Sequence, residues 1–311
     1  MDKVRPPKLT EGDEIRIIAP ASAPDMGNLS KGIARLKKLG FKISLGSNIK
    51  RLVQVHQLAA TAEERSREIL NAFKDDTVKA IFCARGGYGS IHTLPLLDFD
   101  VIHDHPKIFI GYSDITALHL AFNKLANLVT FHGPMPGSDP EEMGKPYFKT
   151  IIEVLEGKTN NFATGDRDLL FKYINPGTVE GTSIGTNISV ASSLIGTKYM
   201  PDTTDKILFA EDTGITAGDI DRYLFTMKLA NMLGGFSGFA FGDIKTVNEQ
   251  SEPMPFVEDV IEDYMEELKK PSLYGLPFGH GEGQMLIPLN SRIKLSTSTE
   301  PTLEFMEPVV E

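Results

Sequence analysis

Along the first half of the chain, short apolar runs rich in β-branched residues alternate with segments whose apolar positions recur every three to four residues. That is the pattern of βα units feeding a mainly parallel sheet. The runs at 14–19, 41–45, 78–84, 107–111 and 128–131 predict strands. Between them, Leu29, Ile33, Leu36 and Leu39 fall at helical spacing, and Gly40 supplies a left-handed stop. Thr61 with Glu64 forms a capping box that opens a helix reaching about residue 73. Residues 145–157 read as a helix leaving this unit, and the polar stretch 158–168 reads as a linker. After Asn175-Pro176-Gly177 the pattern restarts, with strands at 206–210, 236–241 and 292–296 and helices at 188–194, 219–231 and 256–269. The expectation is an α/β protein of two domains: a mainly parallel-sheet N-terminal domain over 1–160, a linker over 161–176 and a smaller α/β domain over 177–311.

Composition narrows the classes. With 41% hydrophobic and 24% charged residues the chain reads as globular, neither disordered nor membrane-embedded, and no apolar run approaches the roughly 20 residues of a spanning helix. Residues 1–10 are charged and proline-bearing, without the apolar core of a secretory signal, so a cytoplasmic protein is expected. The single cysteine, Cys83, excludes an internal disulfide and cysteine-rich metal sites. A net charge of -10 argues against nucleic acid or anionic lipid as a partner, and an anionic substrate would require local positive groups.

Candidate chemistry gathers where sharp turns follow predicted strands. In Gly111-Tyr112-Ser113-Asp114-Ile115-Thr116 a buried-type strand runs into a serine and then a helix, a turn that exposes a hydroxyl in a strained backbone and presents N–H groups to developing negative charge. Ile115 stands where a hydrolase elbow has its last glycine, and alone such a serine is more commonly a helix cap. In Arg85-Gly86-Gly87-Tyr88-Gly89, adjacent glycines allow close backbone approach, as an oxyanion hole requires, and Arg85 offers a charge for a carboxylate; a tight turn with a surface arginine is the plainer alternative. Neither a dinucleotide fingerprint nor a phosphate-binding loop is present, and no cofactor is expected. Glu211 and Asp212 end a predicted strand, where either could instead cap the following helix. His280 sits between Gly279 and Gly281, which would leave room for substrate around a base, or it is simply satisfied in a loop. Of the other histidines, His132 at a strand end is kept as a substrate contact; His119 reads as packed or solvated, and His56 and His92 compete without a motif. His103 and His105 lack a matched third ligand, so no metal is expected, and Cys83 reads as a small buried residue.

Taken together, these segments resemble the LD-carboxypeptidase family, which also includes the microcin C immunity peptidases. The likeness covers nearly the whole chain through Ile17-Ile18-Ala19-Pro20-Ala21-Ser22, Arg85-Gly86-Gly87-Tyr88-Gly89, Gly111-Tyr112-Ser113-Asp114, Gly185-Thr186-Asn187, Ala210-Glu211-Asp212-Thr213-Gly214, Ile220-Asp221-Arg222 and Gly279-His280-Gly281. The resemblance implies a Ser113 nucleophile, a His280 base and Glu211 orienting it, at the interface of the two domains, with oxyanion donors from Asp114 and the Gly86-Gly87 turn. It implies hydrolysis of the L,D-bond to a terminal D-amino acid in murein tetrapeptides during cell-wall recycling, so the partner is a small peptide. Cleavage of aminoacyl-nucleotide amides is the alternative; it would want an aromatic platform, for which Phe171 or Tyr173 could serve in a chain without tryptophan. A non-catalytic ligand-binding protein is the alternative of another class. A homodimer is expected from the resemblance and from the apolar residues of 224–229 and 236–239. Thr186 departs from the family's usual glycine.

Overall fold

The computed structural model describes residues 1–51, 54–160, 162, 172–247, 255–298 and 301–311. Five parallel strands, β1 (Glu14–Ile18), β2 (Lys42–Leu45), β3 (Val78–Cys83), β4 (Ile108–Gly111) and β5 (Thr130–His132), lie in the order β5-β4-β3-β1-β2. In the middle, Ala80, Ile81, Phe82 and Cys83 of β3 are wholly buried, as a parallel sheet covered on both faces demands. The capping box forms as read: the Ala62–Lys74 helix opens with Thr61 and Glu64 bonded reciprocally.

The second sheet is mixed and larger in strand number than expected. It contains β6 (Lys172–Asn175), β7 (Thr178–Ile184), β8 (Lys206–Ile215), β9 (Gly238–Thr246), β10 (Ser272–Gly279) and, beyond β11 (Ile287–Leu289), β12 (Arg292–Ser296) and β13 (Thr302–Phe305). Its order is β13-β12-β7-β8-β9-β10-β6, with β7 to β10 parallel and the others antiparallel. Most of the stretch expected as a linker lies outside the described residues, Phe171 included; its residues 172–175 are the edge strand β6, paired with β10.

Two features interlock the halves. First, β11 does not join the second sheet: it pairs antiparallel with β5, placing Ile287 opposite His132. The chain therefore crosses from one sheet to the other within residues 280–286, the segment that carries His280. Second, one apolar core runs through both halves, joining Tyr112, Ile115 and Leu118 to Ile184, Ile188, Leu208 and Phe239. The Pro146–Leu155 helix falls in the stretch read as leaving the first unit. It buries Tyr147, Phe148, Ile151 and Leu155 against Leu9, Val309 and Val310 and stays with the first sheet. A proline at its start costs no internal hydrogen bond there.

The apolar residues that suggested a dimer are largely consumed internally: Leu224, Met227, Phe236 and Phe239 are fully buried, leaving Phe225 and Leu229 exposed. Among the described residues, no helix is long and apolar enough to cross a membrane.

Candidate active site

The backbone of β4 ends in an extended Tyr112 and then turns at Ser113, whose φ is 63°. A non-glycine residue in the left-handed region costs about 1–3 kcal/mol and persists only where the surroundings impose it. Here a 3-10 turn, Ser113–Ile115, leads directly into the Thr116–Ala121 helix, and neither takes a side-chain cap. The serine hydroxyl points elsewhere: His280 Nε2 lies 3.1 Å from Ser113 Oγ, and His280 Nδ1 lies 2.7 Å from Glu211 Oε2.

Each partner is held from the second half. Glu211 is not at a strand end; β8 continues to Ile215, and Glu211 sits within it, fully buried, its N–H donating to Thr186 O at 3.1 Å. Asp212 does not serve the following helix, whose cap is Thr216; its carboxylate accepts from Asn187 Nδ2 and from Ser189 N–H instead. Burial raises the Glu211 carboxyl, against the lowering effect of His280. For His280, burial acts downward, but the hydrogen bond and charge of Glu211, aided by Asp212 and Asp139, prevail and raise it. The imidazole is thus a strengthened base with its far nitrogen anchored.

The glycines beside His280 stand close to carboxylates of the protein. Gly279, at φ 109°, admits Glu211: a Cβ there would stand 2.8 Å from Glu211 Cβ and 2.9 Å from Oε2. A Cβ on Gly281 would run into the Asp243 carboxylate. Both glycines make room for carboxylates of the protein.

The Gly86-Gly87 turn lies against the serine. A Cβ on Gly86 would stand 2.9 Å from Ser113 Cβ and 3.2 Å from Asp114 N, so a side chain there would displace the serine turn. Asp114, mostly buried, fastens the turn to the same loop by accepting Ser90 N–H at 2.8 Å, while its carbonyl accepts the Ser90 hydroxyl at 2.6 Å. Burial raises the Asp114 carboxyl. Beneath the loop the fully buried Arg65 guanidinium donates to the carbonyls of Pro20, Gly89 and Ala60 at 2.6, 2.7 and 3.2 Å. Arg85 is half-buried and donates to Ala23 O at 3.4 Å; it makes no hydrogen bond to Ser113, Glu211 or His280.

His132 requires correction. It has no exposed surface, its Nδ1 lies 2.8 Å from Thr186 Oγ1, and its ring stands between Tyr112 and Phe278. Packed among Tyr112, Phe278 and Thr186, it offers no exposed surface to a substrate, and burial holds it neutral. Thr186, the departure from the family pattern, supplies the hydroxyl that His132 meets. His119 is likewise internal, between Thr130 Oγ1 and Gly111 O, and burial lowers it to about 4. His103 bonds Ala126 O, and among the described residues no group of three or more His, Cys, Asp or Glu could hold a metal. Cys83 is buried, its thiol pushed up by that burial.

Asp139 gave no sequence signal. Its carboxylate accepts the Tyr112 hydroxyl at 2.8 Å and Met135 N–H at 2.9 Å, and burial pushes it up to about 6. Tyr112 in turn sets its ring against His280, with centroids 5.1 Å apart.

A hydroxyl on a strained turn, an imidazole in bonding reach and a buried carboxylate behind it form the arrangement of nucleophilic acyl-transfer enzymes, here divided between two α/β units. The LD-carboxypeptidase N-terminal domain matches residues 15–133 and the LD-carboxypeptidase C-terminal domain matches residues 180–295, and the chain belongs to this family. It is 36% identical to a probable murein peptide carboxypeptidase of Bacillus subtilis (strain 168), covering 94% of this chain and 92% of that one. Its structure is similar to an MccF-like protein from Bacillus anthracis str. Ames, with TM-score 0.84, 28% identity and 96% and 98% of the chains covered. It is also similar to a muramoyltetrapeptide carboxypeptidase from Oxalobacter formigenes, with TM-score 0.79, 26% identity and 94% and 99% covered.

Proposed function

We propose that this protein is a serine-type LD-carboxypeptidase that removes the terminal D-amino acid from murein tetrapeptides in the cytoplasm, during cell-wall recycling. The observation that carries the reading is the unbroken line from Ser113 Oγ through His280 to Glu211, 3.1 and 2.7 Å per step, at a turn whose only evident use is to expose the hydroxyl. Ser113 Oγ attacks the carbonyl carbon of the L,D-bond and its proton passes to His280 Nε2. The oxyanion is met by the backbone N–H of Asp114 and one N–H of the Gly86-Gly87 turn. His280 then protonates the departing amine, and water, deprotonated by His280, cleaves the acyl-enzyme and restores Ser113. Arg85, one residue before the turn, is the cation available for the substrate carboxylate.

The similarity to an MccF-like protein supports a second reading, hydrolysis of an aminoacyl-nucleotide amide by the same residues. Tyr173, the described aromatic expected for a base, is 44% exposed but pairs with Leu273 at the opposite end of β10 from His280 and does not reach the site. Incubation with murein tetrapeptide and with an aminoacyl sulfamoyl adenylate, followed by mass spectrometry, separates the readings. Loss of one alanine from the tetrapeptide alone is expected; cleavage of the adenylate alone would replace the first reading with the second, and no cleavage of either would favour a non-catalytic binding protein.

Homodimer formation would use the exposed Phe225 and Leu229, 47% and 70% exposed. Light scattering at micromolar concentration is expected to give twice the chain mass, and a monomer would remove the dimer.

A further inference from the structure

His280 follows β10 of the second sheet, yet the hydroxyl it must meet follows β4 of the first. Something must fix the distance between them, and the loop after His280 is fastened on its far side to the first half. Gly283 N–H donates to Glu142 Oε2 at 3.1 Å, and Gln284 N–H donates to the Tyr147 hydroxyl at 3.0 Å. The Tyr147 hydroxyl itself donates to Glu142 Oε2. From the same loop, the Gln284 side-chain amide donates back to Gly279 O, the carbonyl immediately before His280. Met285 N–H closes the loop onto Pro277 O at 2.7 Å.

Gln284 and Tyr147 are shielded, 1% and 8% exposed, and Glu142 is half-buried. Buried hydrogen bonds to a carboxylate are among the stronger ones, and leaving their donors unpaired is costly. Burial and the bond to Glu142 keep the Tyr147 hydroxyl protonated far above neutrality, so it stays a donor to Glu142 and an acceptor for Gln284 at every working pH.

We propose that Glu142, Tyr147 and Gln284 are positioning residues for the base: a clamp from the first half of the chain that holds the 279–284 loop so that His280 faces Ser113 and keeps its Nδ1 on Glu211. The inference rests on His280 acting as the base. The groups facing that imidazole are Glu211 and Asp212 of β8, Tyr112 and Asp139 of the first half and His132 of β5, while Asp243 of β9 lies against Gly281. Glu142 bears electrostatically on Asp139 and Tyr112, so its variants change charge as well as geometry; Tyr147→Phe changes no charge, and a shift in the behaviour of His280 there reports geometry.

The test compares full-length Tyr147→Phe, Glu142→Leu and Glu142→Gln with the wild type. Tyr147→Phe keeps the packed ring and removes one hydroxyl; kcat is expected to fall on the order of tenfold to a hundredfold with KM within about twofold. The acid limb of the pH profile should move to lower pH, because a displaced His280 loses part of the raising influence of Glu211. Glu142→Leu should behave alike, whereas Glu142→Gln retains an acceptor for both donors and should stay within about threefold of wild type. Labelling by a fluorophosphonate, in which Ser113 Oγ forms the bond to phosphorus, fluoride leaves and His280 takes the proton, reads the same activation without any peptide. A lower thermal midpoint with unchanged labelling rate, kcat and pH profile would overturn the clamp. His280→Ala separates the two levels: retained labelling and turnover there would sink the base assignment, while an inactive His280→Ala beside a wild-type Tyr147→Phe would sink the clamp alone.

Discussion

Ser113→Ala is expected to bring hydrolysis of an L,D-peptide to background, a loss on the order of 10⁴-fold to 10⁶-fold, while leaving peptide binding within a few-fold. The hydroxyl contributes only to the chemical step, so the free energy lost appears in kcat. His280→Ala should cost about as much, since a serine hydroxyl without a base is scarcely nucleophilic at neutral pH. The double variant should be no worse than either alone, because the two act as a unit. Mass spectrometry of the released D-amino acid gives the rates, and calorimetry on Ser113→Ala gives the binding. Wild-type turnover by Ser113→Ala would overturn the assignment, and an active Ser113→Ala with an inactive Cys83→Ser would move the nucleophile to Cys83.

Much of this site is legible in the sequence, but only jointly. Alone, Ser113 reads as a cap, Glu211 as another, and His280 as a satisfied loop residue; their order along the chain, among the surrounding motifs, gives them meaning. What escapes is what depends on long-range pairing. β10 contains Gly275 and Pro277, which weaken its strand signal and hide the fact that His280 is launched from a strand of the second sheet, between β9 and the edge strand β6. β11 is three residues long, too short for a periodic signal, yet it pairs with β5 opposite His132, whose ring is buried among Tyr112, Phe278 and Thr186 and so offers substrate no surface.

The supporting polar residues are hidden for a related reason. Arg65 lies on a helix rich in charges, of which Glu68 is buried too, and nothing in that pattern marks Arg65 as the group that gathers the carbonyls of Pro20, Ala60 and Gly89. Asp139 follows a glycine and a serine and precedes a proline, the composition of any surface turn. Gln284 finds Tyr147 across 137 residues of chain. Apolar periodicity registers which face of an element is inward; it does not register which buried polar group will meet which.

Glu211→Gln should lower kcat on the order of 10³-fold to 10⁴-fold, less than loss of the serine or histidine, because the base remains but its tautomer and the stabilisation of its protonated form are spoiled. The same change removes the charge that raises His280, so the acid limb of the residual activity should move to lower pH. Stability should respond in the opposite sense. The folded Glu211 carboxyl is raised by burial, and a group raised on folding stabilises the native state fully only below its unfolded value, losing that contribution as pH rises through the folded one. Above neutrality the wild type therefore bears the cost of a buried carboxylate that glutamine does not. The expected result is a higher thermal midpoint for Glu211→Gln than for wild type near pH 8, narrowing as the pH is lowered toward 4, where the carboxyl is protonated in both states. Midpoints measured across that range, beside kcat at each pH, decide the matter. A variant equally active with wild type would remove Glu211 from the machinery, and a lower midpoint at pH 8 would show that the hydrogen bond to His280 outweighs the burial of the charge.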